Sequence, residues 1–269
     1  MSGLNPFDWY GPQFLALYAL LFAAALLMSF VIANALRSEG REMPVSDEEE
    51  LAVLAGGRDR LTETVLARML SRGSAMIEKS RIYLRQPAGG LAGAELALGG
   101  ISNPVSWGKV RRALADKAEV IEQNLISRQL MMPRGEARAI GFLVASPFLG
   151  LIGFGLVKYQ IGGARERPVG FLVLFMAITA FVGLSRWLAF DRKTKAGIAA
   201  VQAARKASAR LKRAPMNEET GVAVALFGTA VLAGSPIDSL HRLRQSDGGS
   251  SGGDGGSGCG GGGCGGCGG

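Results

Sequence analysis

The sequence predicts a mainly α membrane protein: three transmembrane helices, a small α+β winged-helix-like cytoplasmic domain and a disordered Gly-rich tail. Three observations predict it. Uncharged apolar runs stand at 14–35, 140–157 and 168–184, each about as long as a helix needs to cross the ~30 Å hydrocarbon core. Between the first two runs, residues 43–86 carry helical periodicity twice and then two short strand-like runs. From Gly248 onward the chain is dominated by Gly, a composition that cannot bury a core.

Residues 1–12 form a short external N-terminus, with Trp9 and Tyr10 placed to anchor the outer interface. Ala33-Asn34-Ala35 resembles a signal-cleavage site. The run before it is too long for a signal core and has no positive n-region, so 13–36 is expected to stay as an uncleaved first span. Arg37 and Arg41 follow at once, and the positive-inside rule then puts the N-terminus outside and 37–139 in the cytoplasm. The second span, 140–157, returns outward; an external loop, 158–167, leads to the third span, 168–189. Arg37, Arg186 and Trp187 are the expected inner-interface anchors, and Arg192, Lys193 and Lys195 follow. Lys158, Arg165 and Arg167 in the outer loop run against the rule, which is a bias and not a law. The setting expected is a bacterial inner (cytoplasmic) membrane, multi-pass, with the C-terminus cytoplasmic.

The net charge is +8. The basic residues cluster beside the spans, which favours topology and anionic lipid over nucleic acid as their explanation.

Within the cytoplasmic domain, Asp47-Glu48-Glu49-Glu50 suits a helix start, where carboxylates meet the positive end of the dipole. Gly56-Gly57 stops that helix. A second helix carries Leu61, Val65, Leu66, Met69 and Leu70 on one face and ends at Gly73. Runs at 75–78 and 81–85 read as a hairpin turning at Lys79-Ser80. Helix, turn, helix and hairpin is a winged-helix outline over 43–86. Residues 87–105 read as a linker with a weak helix. Residues 105–139 partly repeat the pattern, as a degenerate second winged-helix-like unit.

Residues 190–245 are expected to be a basic helical region, with 191–213 lying near anionic headgroups. The apolar stretch 221–234 is too short to span and reads as a packed or interfacial helix, with a re-entrant element as the alternative. Residues 246–269 are the disordered Gly/Cys-rich tail.

Chemistry is sparse. All three Cys lie in the tail as Cys259-x4-Cys264-x2-Cys267, which matches the first part of a plant-type [2Fe–2S] ligand run without the fourth Cys. They are candidates for weak soft-metal binding, modification or crosslinking, beside the simpler reading as unselected tail residues. Arg68, Arg72, Arg81 and Arg85 would form the partner or DNA face of a winged helix, but acidic residues nearly balance the domain's basic ones, which disfavours nucleic acid. The single His, His241, has no Cys or carboxylate cluster beside it in sequence and reads as a surface residue. No phosphate-loop or dinucleotide fingerprint follows a strand. No cofactor is expected.

Several short motifs carry a resemblance. They are Asn5-Pro6-Phe7-Asp8, Gly11-Pro12-Gln13-Phe14-Leu15 and Leu51-Ala52-Val53-Leu54-Ala55-Gly56-Gly57 with Leu70-Ser71-Arg72-Gly73. Arg167-Pro168-Val169-Gly170-Phe171-Leu172 and Val224-Ala225-Leu226-Phe227-Gly228 ahead of a Gly/Cys tail complete the set. Together they resemble a family of uncharacterised bacterial membrane proteins named for a domain beside a low-complexity C-terminus. The resemblance covers nearly the whole chain. It implies a bacterial inner-membrane setting and carries over no catalytic or binding residue.

The expected function is non-enzymatic: a membrane-anchored interaction or scaffold protein, with the lipid bilayer and an unidentified protein as partners. The alternatives are a membrane-tethered winged-helix transcription regulator and a tail-centred role for Cys259, Cys264 and Cys267.

Overall fold

A computed structural model describes residues 11–85, 90–164, 170–212 and 216–247. The described chain is mostly helical, and its strands are one two-stranded sheet.

Three helices are long and apolar enough to cross a membrane: α1 (Gly11–Leu36), α5 (Arg134–Ala164) and α6 (Gly170–Leu188). Leu27, Phe171 and Phe181 on them are at least 70% exposed. Bare apolar side chains at that density suit hydrocarbon and not water. The helices meet through small residues, as membrane helices do. A Cβ on Gly183 would press on Phe148, and one on Gly155 would press on Met176. Phe14 of α1 stacks on Phe154 of α5 at 5.5 Å between ring centroids, and the Tyr18 hydroxyl donates to Thr179 Oγ1 of α6 at 3.3 Å.

The second apolar helix is longer than the sequence suggested. α5 continues to Ala164, so the first part of the expected external loop is helical. Lys158, placed in that loop by charge alone, is a buried helical residue whose ammonium lies 4.9 Å from the Phe14 ring centroid. A long aliphatic stem lets Lys remain in a helix while its charge finds an aromatic face.

A domain outside the three long apolar helices is assembled from both sides of the α5–α6 pair. α2 (Glu48–Ser71) supplies its centre. It departs from helical geometry at Gly56 and Gly57, so two helical halves follow one another as the sequence indicated. Strands β1 (Ala75–Glu78) and β2 (Arg81–Leu84) pair antiparallel, with Glu78 opposite Arg81. Lys79 and Ser80 both have positive φ, the geometry of a tight two-residue hairpin turn. The free edge of β2 is covered: Ile82 exchanges backbone hydrogen bonds with Val105, and the Asn103 side chain bonds both the amide and the carbonyl of Leu84.

α3 (Trp107–Ala113) and α4 (Ala115–Ser127) follow, but no hairpin comes after them. Met131 instead bridges Lys193 across the base of the α5–α6 pair. The expected second winged-helix-like unit is therefore only a helix pair. Its apolar residues, Val110, Leu114, Ile121 and Leu125, pack on the core that α2 already organises.

The region 190–245 is helical as expected, and it packs into the domain that α2 organises. α7 (Lys195–Ala207) buries Ala196, Gly197 and Val201 in the domain. α8 (Thr220–Phe227) is apolar on every side because it is surrounded, the mark of an interior helix; Val224 and Leu226 are at most 1% exposed. The stretch 221–234 is thus a core helix followed by a 3-10 turn (Thr229–Leu232), packed on α2. α9 (Asp238–Asp247) closes the domain with Leu240 and Leu243. One hydrophobic core holds residues from Ala52 to Met131 and from Ala196 to Leu243.

Candidate functional site

The site is built where the chain crosses between bundle and domain. Three extended stretches converge there. Lys195 and Ala196 amides donate to the carbonyls of Ser38 and Glu39 at 2.9 and 2.8 Å, and the Met132 amide donates to Arg192 at 2.7 Å. Thr194 Oγ1 lies within hydrogen-bond reach of the Gln129 and Leu130 carbonyls and accepts from Gly197 N, capping α7. Gly40 sits in this neck with φ of +71°, and a Cβ there would collide with the Gln129 carbonyl and Thr194. Arg37 donates to the Lys193 carbonyl at 2.7 Å and lies over the Phe190 ring.

Around the neck lies a cluster of arginines. Glu122 of α4 accepts from Arg58 at 3.1 Å, Arg134 at 2.9 Å and Arg192 at 3.0 Å. Glu119, one turn away, pairs with Arg58 and Arg134. Burial alone would raise the Glu122 carboxyl. The hydrogen bonds from Arg192 and Arg58 and the charges of Arg192 and Arg134 outweigh it, so the group sits below its ordinary value. Beside the cluster opens a cleft of about 440 Å³ lined by Gly56, Arg58, Asp59, Glu122, Arg134 and Arg138. A carboxylate held ionised by three guanidinium groups is a poor base. The cluster is suited to binding anions and not to moving protons.

A second ion cluster is internal. Arg68 donates to Glu95 at 2.7 Å and to Glu49 at 3.1 Å, and Glu48 lies 3.6 Å away. Glu49 also accepts the Ala94 amide at 2.8 Å. Arg68 is therefore an interior tie between α2 and the 3-10 turn Gly93–Leu98, not part of an outer DNA face; its side chain is only 14% exposed. Burial would lower the Arg68 guanidinium, but the carboxylates around it raise it. Burial raises Glu48, opposed by Arg68 and aided by Glu49. Arg72, Arg81 and Arg85 are exposed, with Arg72 touching Glu95 at 3.5 Å.

His241 does not stand on an open surface. It lines a cleft of about 340 Å³ with Arg60, Glu63, Thr229, Arg244 and Gln245. Gln245 Nε2 approaches His241 Nε2 at 3.0 Å, and Thr229 Oγ1 lies 3.3 Å from Nδ1. Glu63, the nearby carboxylate, is held by Arg60 at 2.9 Å and Arg244 at 2.7 Å. Arg244 also stacks over Trp107, 4.6 Å from its centroid. Sequence proximity missed this grouping because it joins α2 to α9.

Arg186 was expected to reach outward to the headgroups. It turns instead toward the bundle and donates to Ser29 Oγ of α1 at 3.2 Å. Its Cα–Cβ bond points back toward the N-terminus of α6, into the helix pair. Trp187 is 42% exposed beside it. Trp9, Tyr10, Cys259, Cys264 and Cys267 lie outside the described residues. Among the described residues, no three His, Cys, Asp or Glu side chains gather as a metal site. Comparison with family models, curated proteins and solved structures returned no match.

Proposed function

We propose that the chain is a membrane-anchored interaction or scaffold protein of the bacterial inner membrane, with its N-terminus outside and its soluble domain and C-terminus in the cytoplasm. The observation that carries this reading is the neck. A domain joined to its spans by three hydrogen-bonded stretches is fixed in height and orientation above the bilayer, whereas one on a flexible linker would sample a wide volume. A fixed platform suits the positioning of a partner. The topology has its own support. Residues from Ala52 to Met131 and from Ala196 to Leu243 share a core, which supports their lying on one side of the bilayer with two spans between them. Arg37, Arg134, Arg138 and Arg192 flank the spans on that side.

We read residues 43–86 as winged-helix-like and serving protein contact. The burial of Arg68 weakens the reading as a transcription regulator, since that helix loses a cation from its outer face. The resemblance to the bacterial family with a Gly/Cys-rich end belongs to the same proposal.

The test is site-specific photocrosslinking in cells from exposed domain positions Met76, Arg81 and Val120, with lipid-facing Leu20 as the comparison. Discrete protein adducts from domain positions are expected. Adducts at none of them would sink the scaffold reading. Deleting 36–139 is not a usable test, because α7, α8 and α9 share that core.

A further inference from the structure

We infer that the arginine-lined cleft at the neck binds the phosphate of an anionic glycerophospholipid. This inference rests on the membrane-spanning reading of α5.

Depth comes first. The uncharged part of α5 begins at Ala139, and Arg138 and Arg134 precede it, one turn apart on one face. At 1.5 Å per residue the two guanidinium stems are separated by about 6 Å along the axis. The headgroup layer is itself roughly 5–7 Å deep. Both side chains therefore stand at the level of lipid phosphates, at the positive end of a long helix dipole.

Charge comes second. Arg58, Arg134 and Arg192 pair with Glu119 and Glu122, and Arg138 lines the cleft beside them, leaving an excess of cations in one place. Asp59, on the cleft wall, is itself engaged by Arg111 and Arg244. Arg138 is exposed, lines the cleft and has no ion pair among the described residues. Arg192 Nη2 is buried without a hydrogen-bond partner. Planar guanidinium groups match the oxygens of a phosphate diester. Basic pockets beside spans at this level take anionic headgroups.

The occupant is phosphatidylglycerol or its dimeric form, cardiolipin, and not phosphatidylcholine, whose choline would bring a cation to a cationic cleft. The bound lipid would sit against α5, with its chains along the exposed Phe142 and Leu143.

The experiment uses full-length protein in neutral detergent and reads bound lipid by native mass spectrometry, with phosphatidylglycerol and phosphatidylcholine added in turn. Preferential retention of phosphatidylglycerol is expected. The double variant Arg134→Gln, Arg138→Gln should hold it about thirtyfold more weakly, given the contribution of each basic residue near a membrane surface. An Arg81→Gln, Arg85→Gln control on the hairpin should be unchanged. If the double variant fails to fold, Arg138→Gln alone decides, since it breaks no internal pair. Equal retention by wild type and Arg138→Gln would overturn the site. Inorganic phosphate displacing the lipid at equal concentration would overturn the lipid as occupant. Carbonate extraction of membranes is the separate arm. Release of the wild type would overturn the membrane-spanning reading itself, while membrane residence with no lipid preference overturns only the site.

Discussion

Met131 and Lys193 face each other in an antiparallel bridge, separated in sequence by the whole α5–α6 hairpin. The bridge ties the chain entering the α5–α6 hairpin to the chain leaving it. It explains why one core is built from residues on both sides of that hairpin.

Gly40 tests the neck. Gly40→Ala introduces both an unfavourable left-handed φ and a collision with Gln129 and Thr194, whereas Gly73→Ala, at φ of +69° with open space around it, introduces only the first. The expected cost is about 1–2 kcal/mol for Gly73→Ala and at least about 1–3 kcal/mol more for Gly40→Ala. Denaturant unfolding of the two purified variants measures the difference. Equal losses would mean that the three stretches do not approach as closely as described.

Arg68 and Arg81 should separate cleanly. Arg68→Leu leaves the buried Glu49 without its cation and Glu95 with Arg72 alone, which costs roughly 3–5 kcal/mol. Arg81→Ala, on the exposed hairpin, should fall within about 0.5 kcal/mol of wild type. Thermal melts in one detergent compare them. A mild Arg68→Leu would restore that residue to the surface.

Acid should loosen the neck through Glu122. Its carboxyl lies below the ordinary 4.5 in the folded chain, so its stabilising contribution is complete above that value and is lost as pH falls through the lower folded value. Glu122→Gln should destabilise the domain at pH 7 and flatten its stability profile below pH 4.5. A profile with unchanged slope would remove Glu122 from the acid response.

Glu48 should do the opposite. Its folded value is raised, so the charged form is disfavoured in the native state, and the penalty is present above the folded value and relieved as pH falls toward 4.5. One Glu48 oxygen also lacks a hydrogen-bond partner. Glu48→Gln should be neutral or stabilising at pH 8, an outcome that calorimetry or melting at two pH values reads directly. A large loss would show that Arg68 needs this carboxylate too.

Leu226 reports on α8. Leu226→Ala should cost about 2–5 kcal/mol in the soluble domain without changing membrane extraction. A variant that melts like wild type would put α8 back at the membrane.

Local signals were legible and distant ones were not. The three long apolar helices, the break at Gly56-Gly57 and the hairpin turn at Lys79-Ser80 are written in runs of neighbouring residues, and the structure has each of them. α8 was ambiguous because a short apolar run looks alike in a membrane and in a protein core; only its packing on α2 decides. Arg68 looked like a surface cation because its partners, Glu49 and Glu95, sit on other turns and another element. The neck cluster was invisible for the same reason. Arg58, Glu122, Arg134 and Arg192 come from four separate stretches, and no spacing rule joins them.

The shared core also sets an order of events during synthesis. α2 emerges early, yet its partner α8 is translated only after α5 and α6. Until then the apolar face of α2 has no α8 to cover it. A chain whose α5–α6 hairpin failed to form would hold α8 away from α2 and leave that face open to proteases. Completion of the domain therefore depends on the hairpin bringing its two ends together.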